Sequence, residues 1–371
     1  MANILRSKEK YSSRERILKT FAFEKVDRVA LGYDTNHVAH KNLTNALGLD
    51  SNDRIAFSKH VGIDSIGVRI NYIGPKIYEE IPGRNRSGEH GAITKYVENP
   101  YGGYWDYCDF PLLDADDEMI YNYPYPDADD YDYEASKEYI KQMVDQGFAI
   151  YLGNSGVGDI LNTAGMIMGV EQALVNICTG HEATLHNVDK RLNMQLKRTQ
   201  RVLEENVDDI DYLWIGEDLG TQHTPLISMD MYREFLKPRH QKFIDLAKAY
   251  NKPIIIHTCG SSSWVYEEFM EMGMSGVDTL QPEATNMSPE YLVEKFGGKL
   301  VFRGSISTAG ALAYGSVKET EEVVEKTLDI MSKHGGYILA PTHAIQDNTP
   351  AENTIAMYNK AHSYRGGKFG L

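Results

Sequence analysis

Eight short runs of strand-type apolar residues recur along this chain, at 29–33, 65–70, 149–153, 212–216, 254–257, 277–281, 300–303 and 337–340. Helical stretches separate most of them, and that alternation predicts a parallel sheet closed into a (β/α)8 TIM barrel. A doubly wound open sheet is the competing arrangement. The glycine-rich turn Gly153-Asn-Ser-Gly-Val-Gly158 does not support it, having neither the G-x-G-x-x-G nor the G-K-[S/T] spacing of a nucleotide loop. A length of 371 residues suits one barrel domain spanning 1–371.

Residues 8–24 read as an amphipathic helix ahead of the first strand. Ser12 or Ser13 caps it, and Ile17, Leu18 and Phe21 form its apolar stripe. Residues 72–135 differ in texture, holding eleven of the 24 tyrosines. Within them, 94–97 and 104–107 read as a β-hairpin around Asn99-Pro-Tyr-Gly-Gly103, and the acidic, Pro-bearing stretch 114–134 as an extended excursion over the barrel. The tyrosines either pack this aliphatic-poor insertion or line a site for an aromatic ligand.

The net charge of −15 argues against a nucleic-acid partner, because phosphate binding needs clustered Lys and Arg. No apolar run approaches the length of a membrane span, so no membrane partner is expected. The N-terminal residues lack the apolar core of a signal peptide, and Cys108, Cys178 and Cys259 are too scattered for a disulfide framework. Together these place the protein in a reducing cytoplasm.

Barrel enzymes build their sites at the C-terminal ends of the strands. The fifth run, Pro253-Ile-Ile-Ile-His-Thr-Cys-Gly260, ends in two residues whose period-2 spacing puts His257 and Cys259 on one face, half of a tetrahedral zinc site. Alone, the pair reads more readily as a buried His beside a small core Cys. Convergence shifts the balance. The fourth run ends in Glu217-Asp218, the sixth in Gln281 and Glu283, the seventh in Ser305, and the eighth leads to His343.

From Ser13-Arg-Glu-Arg-Ile-Leu to Pro350-Ala-Glu-Asn-Thr-Ile-Ala-Met-Tyr, the chain resembles the uroporphyrinogen decarboxylase superfamily. The resemblance rests on Leu219-Gly-Thr-Gln222, Phe235-Leu-Lys-Pro-Arg239, His257-Thr-Cys-Gly260, Phe302-Arg-Gly-Ser-Ile306 and Gly335-Gly-Tyr-Ile-Leu-Ala-Pro-Thr-His343. It implies a distorted TIM barrel with an N-terminal helical cap. Porphyrinogen decarboxylases of this superfamily carry an Arg-x-x-x-Arg pair after the first strand. The corresponding stretch here, Leu31 to His40, holds no arginine, so a polycarboxylate substrate is rejected. The His-x-Cys motif resembles the zinc methyltransferases of corrinoid-dependent methyl transfer. His343 stands where thiol-methylating members have a further Cys, an ending more similar to the first methyltransferases of O-demethylase systems.

That resemblance implies demethylation of a small methylated donor, such as a methoxylated aromatic, with the methyl group passing to cobalamin on a separate corrinoid protein. Zinc would be held by His257 and Cys259 with His343 and Glu217 as further candidates. Glu217, Asp218 or His343 would otherwise protonate the leaving oxygen. Arg69 or Arg303 is expected to hold a substrate carboxylate, Tyr72, Tyr104 or Trp264 to stack on a ring, and Gln281 to line the site. A homodimer is implied as well. Two alternatives stay open: a metal-free decarboxylase or lyase of a small acid with His343 as proton donor, and a methylcobalamin:thiol methyltransferase.

Overall fold

The computed structural model describes residues 3–370. Eight parallel strands form the barrel: β1 (Ala30–Leu31), β2 (Ser65–Gly67), β3 (Ala149–Gly153), β4 (Tyr212–Gly216), β5 (Ile254–Thr258), β6 (Gly276–Thr279), β7 (Val301–Ile306) and β8 (Tyr337–Pro341). From β2 to β8 each pairs with its neighbours in sequence, and β8 pairs back to β1. Across the remaining seam the Asp64 amide donates to the Leu31 carbonyl at 3.0 Å, so the ring is all but closed. All eight strand-type runs are strands, shifted by a few residues at their ends. β1 and β2 are shorter than their apolar runs.

Inside the ring, Ala30, Ala149, Tyr212, Trp214, Ile255, Val301 and Ile338 make one cluster of core. The helix Ser13–Phe21 closes the floor beneath it. Ser12 caps that helix, with the Glu15 side chain returning to the Ser12 amide. Ile17 is fully buried against this cluster, whereas Leu18 is 44% exposed and leaves the expected stripe. One turn of helix holds Ile17 and Phe21 on the barrel side and carries Leu18, 100° away, to solvent. A larger apolar core fills the space between the strands' outer faces and the surrounding helices.

Two segments differ from expectation. The helix read over 229–250 is broken into Met229–Met231, a π-helical turn Tyr232–Leu236, and Lys237–Ala249. Pro238 has no N–H to continue the regular ladder, and the bulge lies just ahead of it. The acidic excursion contains a helical turn, Asp117–Asn122, capped by Asp116. The hairpin forms from Ile93–Asn99 and Gly102–Cys108, with Thr94 opposite Tyr107 and the short strand Asn85–Arg86 on its edge.

Candidate functional site

The strand register sets up the site. His257 on β5 lies level with Gly216 on β4 and Asp278 on β6, and Asp278 lies level with Arg303 on β7. In parallel strands level residues point to the same side, so three polar side chains form a row across the barrel mouth. His257 Nδ1 is 2.9 Å from Asp278 Oδ2, and Arg303 Nη1 donates to Asp278 Oδ1 at 2.7 Å. The other Arg303 nitrogen donates to Asp34, and the guanidinium plane lies 4.5 Å over the Trp214 ring. Asp278 is wholly buried. Arg303 and His257 overcome the burial and keep its carboxyl below the usual range.

The Asp278 bond occupies Nδ1 and leaves Nε2 facing Cys259, whose Sγ lies 3.5 Å away. Asp218 completes a cluster. One donor atom each from Asp218, His257 and Cys259 lies within 4.8 Å of the others. Asp218 Oδ1 accepts from the Cys259 amide at 2.8 Å, and Oδ2 accepts from Asn162 Nδ2 at 2.9 Å. An N, S, O donor set with a carboxylate behind the imidazole is what a catalytic Zn2+ site needs, including a fourth position open to substrate. The residues fit the ion. Burial opposes a charge on His257, yet the hydrogen bonds to Asp278 and Cys259 hold its pKa well above the ordinary value. Nε2 thus sits where positive charge is favoured.

Close backbone approach fixes the loop that carries Cys259. Gly260 has φ +70°, and a Cβ there would collide with the Gly220 carbonyl. A Cβ on Gly220 would meet the Ser261 nitrogen at 2.5 Å. The Gly260 amide donates to Gln281 Oε1 at 2.6 Å, so Gln281 supports the loop from beneath.

A cavity of about 420 Å³ opens over the cluster. Asp218, His257, Cys259 and His343 line it from strand ends, Asp159 and Asn162 from the segment after β3, and Glu89, His90 and Tyr107 from the insertion. His343 is exposed and stands outside the compact cluster of donors. Glu217 needs a correction as a ligand or proton donor. Its two oxygens accept from the Ile160 and Leu161 amides at 2.8 and 3.0 Å, and it does not reach the cavity. Burial pushes that carboxyl up to about 8, against the pull of both amides.

The expected substrate contacts are also revised. Arg69 is exposed, lies over the Tyr139 ring at 5.2 Å and lines a separate cavity beside β2. Arg303 is spent on Asp278 and Asp34. Tyr72 donates to the Pro75 carbonyl at 2.6 Å and packs edge-on against Tyr131. Trp264 donates to the Leu219 carbonyl at 3.2 Å and meets Tyr232 edge-on. Tyr104 is 48% exposed on the hairpin and outside the cavity; Tyr107, three residues along the same strand and so on its opposite face, lines it. Sequence reasoning missed Asp278 and Asp159. The signals were an acid in the middle of a buried strand and an acid closing the turn discounted as a nucleotide loop.

Residues 163–364 match the family described as Uroporphyrinogen decarboxylase (URO-D). A curated relative, methylcobamide:CoM methyltransferase MtbA of Methanosarcina acetivorans, is 20% identical over 190 residues, 51% of this chain and 52% of the relative. The match thus spans about half that relative's length. A solved methyltransferase structure from Methanosarcina mazei superposes with a TM-score of 0.61 at 17% identity, covering 95% of this chain and 98% of the other, and shares the fold. The family match takes in more than half of the 371 residues and includes the strands that carry Asp218, His257, Cys259 and Asp278: the chain belongs to the uroporphyrinogen decarboxylase family.

Proposed function

We propose that the protein is a corrinoid-dependent methyltransferase that demethylates a small methoxylated aromatic and passes the methyl group to the cobalt of a separate corrinoid protein. The observation that carries this reading is the Asp218, His257, Cys259 cluster at the barrel mouth, backed by buried Asp278. An ether carbon is a poor electrophile because its oxygen leaves badly, so a demethylase must help that oxygen depart. A zinc ion held by the three residues would act as a Lewis acid on the oxygen.

The chain's own groups prepare that chemistry. Asp278 fixes the His257 ring so that Nε2 faces the cavity, while Asn162 and the Cys259 amide orient Asp218. The insertion supplies an outer wall through Tyr107 and His90. No lysine or arginine lines the cavity among the described residues, which favours a donor without a carboxylate and speaks against an acid as substrate. The MtbA relative's name supports corrinoid chemistry and keeps a second reading in view, in which a thiol accepts the methyl group from methylcobalamin.

The deciding experiment pairs metal analysis with methyl transfer. Purified protein should hold about one zinc per chain, and Cys259→Ser should hold less. With cob(I)alamin supplied, 2-methoxyphenol should yield methylcobalamin faster than 4-methoxybenzoate. Transfer from methylcobalamin to thiols alone would move the assignment to the second reading. A metal-loaded protein that does neither would sink both.

A further inference from the structure

Asp159 closes the glycine-rich turn after β3, two residues before the helix Leu161–Met168, and is 1% exposed where it lines the cavity. Its Oδ1 accepts from the amide and hydroxyl of Thr163, at 2.6 and 2.7 Å, which ties the turn to the first turn of that helix. Its Oδ2 is buried and has no hydrogen-bond partner among the described residues. An ionised oxygen left bare in a low-dielectric site is strongly disfavoured, so the arrangement favours a protonated carboxyl group.

The neighbours reinforce this. Glu217 at the end of β4 contributes like charge, and His240 from Lys237–Ala249 is itself kept neutral by burial, its pKa lowered to about 4. Tyr107 faces Asp159 from the hairpin. Arg191 from Glu182–Asn206 opposes them. It donates to the Asp159 backbone carbonyl through Nη2 and leaves Nη1 buried without a partner. Burial first, then Glu217, push the Asp159 carboxyl up to about 7, with Arg191 and the Thr163 hydrogen bonds pulling the other way.

We propose that Asp159 is the proton donor to the oxygen that leaves when the methyl donor's carbon–oxygen bond breaks. The inference rests on the methyl-transfer reading above. The bonding pair stays on oxygen, the methyl carbon passes to the reduced cobalt corrinoid of the partner, and the proton moves from Asp159 Oδ2 to that oxygen. The carboxylate that remains is balanced by the nearby Arg191 charge and takes its next proton from solvent. A donor that titrates near the working pH is half ready to give and half ready to be refilled. His343, at the exposed rim, shares bulk solvent and lacks this shelter.

Asp159→Asn keeps an oxygen for Thr163 and removes the proton. Single-turnover methyl transfer to cob(I)alamin would be compared across methoxybenzenes of graded phenol acidity and a methylsulfonium, whose neutral sulfide leaves without a proton. The expected result is a loss of about 100-fold or more for the least acidic phenols. The loss should shrink as acidity rises and vanish for the sulfonium, with zinc content retained and Tm no lower than that of wild type. The wild-type rate should also fall above about pH 7, and the variant's should not. A uniform loss across all donors, or none, overturns Asp159 as the donor while leaving the methyl-transfer reading intact. Infrared difference titration of the metal-free protein gives an independent check. Wild type is expected to show two carboxyl bands, one lost near pH 7 and one, from Glu217, lost near pH 8; only the first should be missing in Asp159→Asn, and an unchanged pair of bands in the variant overturns the proposal. Failure of the wild type to transfer methyl from any donor overturns the functional reading itself.

Discussion

Both ends of this barrel bury acids and arginines, and they treat them in opposite ways. Beneath the strands, Asp64 accepts four hydrogen bonds, from Arg16, from two nitrogens of Arg28 and from the Leu31 amide, at 2.6–3.0 Å. Asp27 accepts from Arg16, Lys10, Tyr11 and the Arg28 amide. Those contacts outweigh burial and draw the Asp27 carboxyl down to about 2. Above the strands, Asp159 Oδ2, Arg191 Nη1 and His240 Nε2 are buried without hydrogen-bond partners, His240 Nε2 lying 3.4 Å from Glu217 Oε2, and two carboxyls are pushed up to about 7 and about 8. Paired charge holds the floor together, and incompletely paired charge stays available for proton transfer at the mouth.

The sharpest way to break this contrast is Asp64→Asn. It leaves Arg16 and Arg28 short of a counter-charge in a dry site and should cost about 3–5 kcal/mol of stability, read from urea unfolding. Asp159→Asn should do the reverse. Its folded-state pKa is raised, so wild-type Asp159 contributes stability below its unfolded value of 3.8 and loses it as pH rises toward about 7. The variant should therefore gain on wild type over that window, by on the order of 1–3 kcal/mol, and level off above it. If the two variants show the same pH-independent cost, floor and mouth do not differ in kind. A smaller effect sharpens the picture between them. Asp278→Asn should weaken zinc binding about 10- to 100-fold in competition with a chromophoric chelator, while leaving the fold intact. An unchanged affinity would show that the His257–Asp278 bond serves packing alone.

The barrel was legible because its strands are apolar on both faces and bounded by helical pattern, so each run marks itself. The site was only half legible. His257 and Cys259 share a face by strand periodicity alone. The same rule bears on Glu217 and Asp218: adjacent residues point opposite ways, so only one could join that face. Asp218 is the one that does, and Glu217 turns to the amides of Ile160 and Leu161. The partners of Arg69 and Arg303 come from distant parts of the chain, Tyr139 for one and Asp34 with Asp278 for the other, and no local pattern announces them. Asp278 could have been found, since an acid in the middle of a buried strand needs a cation or a donor to face.

The cavity wall has a mixed origin. Its reactive side comes from strand ends, while Glu89, His90 and Tyr107 come from the tyrosine-rich insertion, moored where Glu89 accepts from Gln195 and Arg198 at 3.0 and 3.2 Å. On the methyl-transfer reading, the chemistry and the outer wall that meets the substrate are thus written in separate stretches of sequence. A lineage could exchange the insertion, keep that mooring and acquire a new methyl donor, with every group around His257 left as it was.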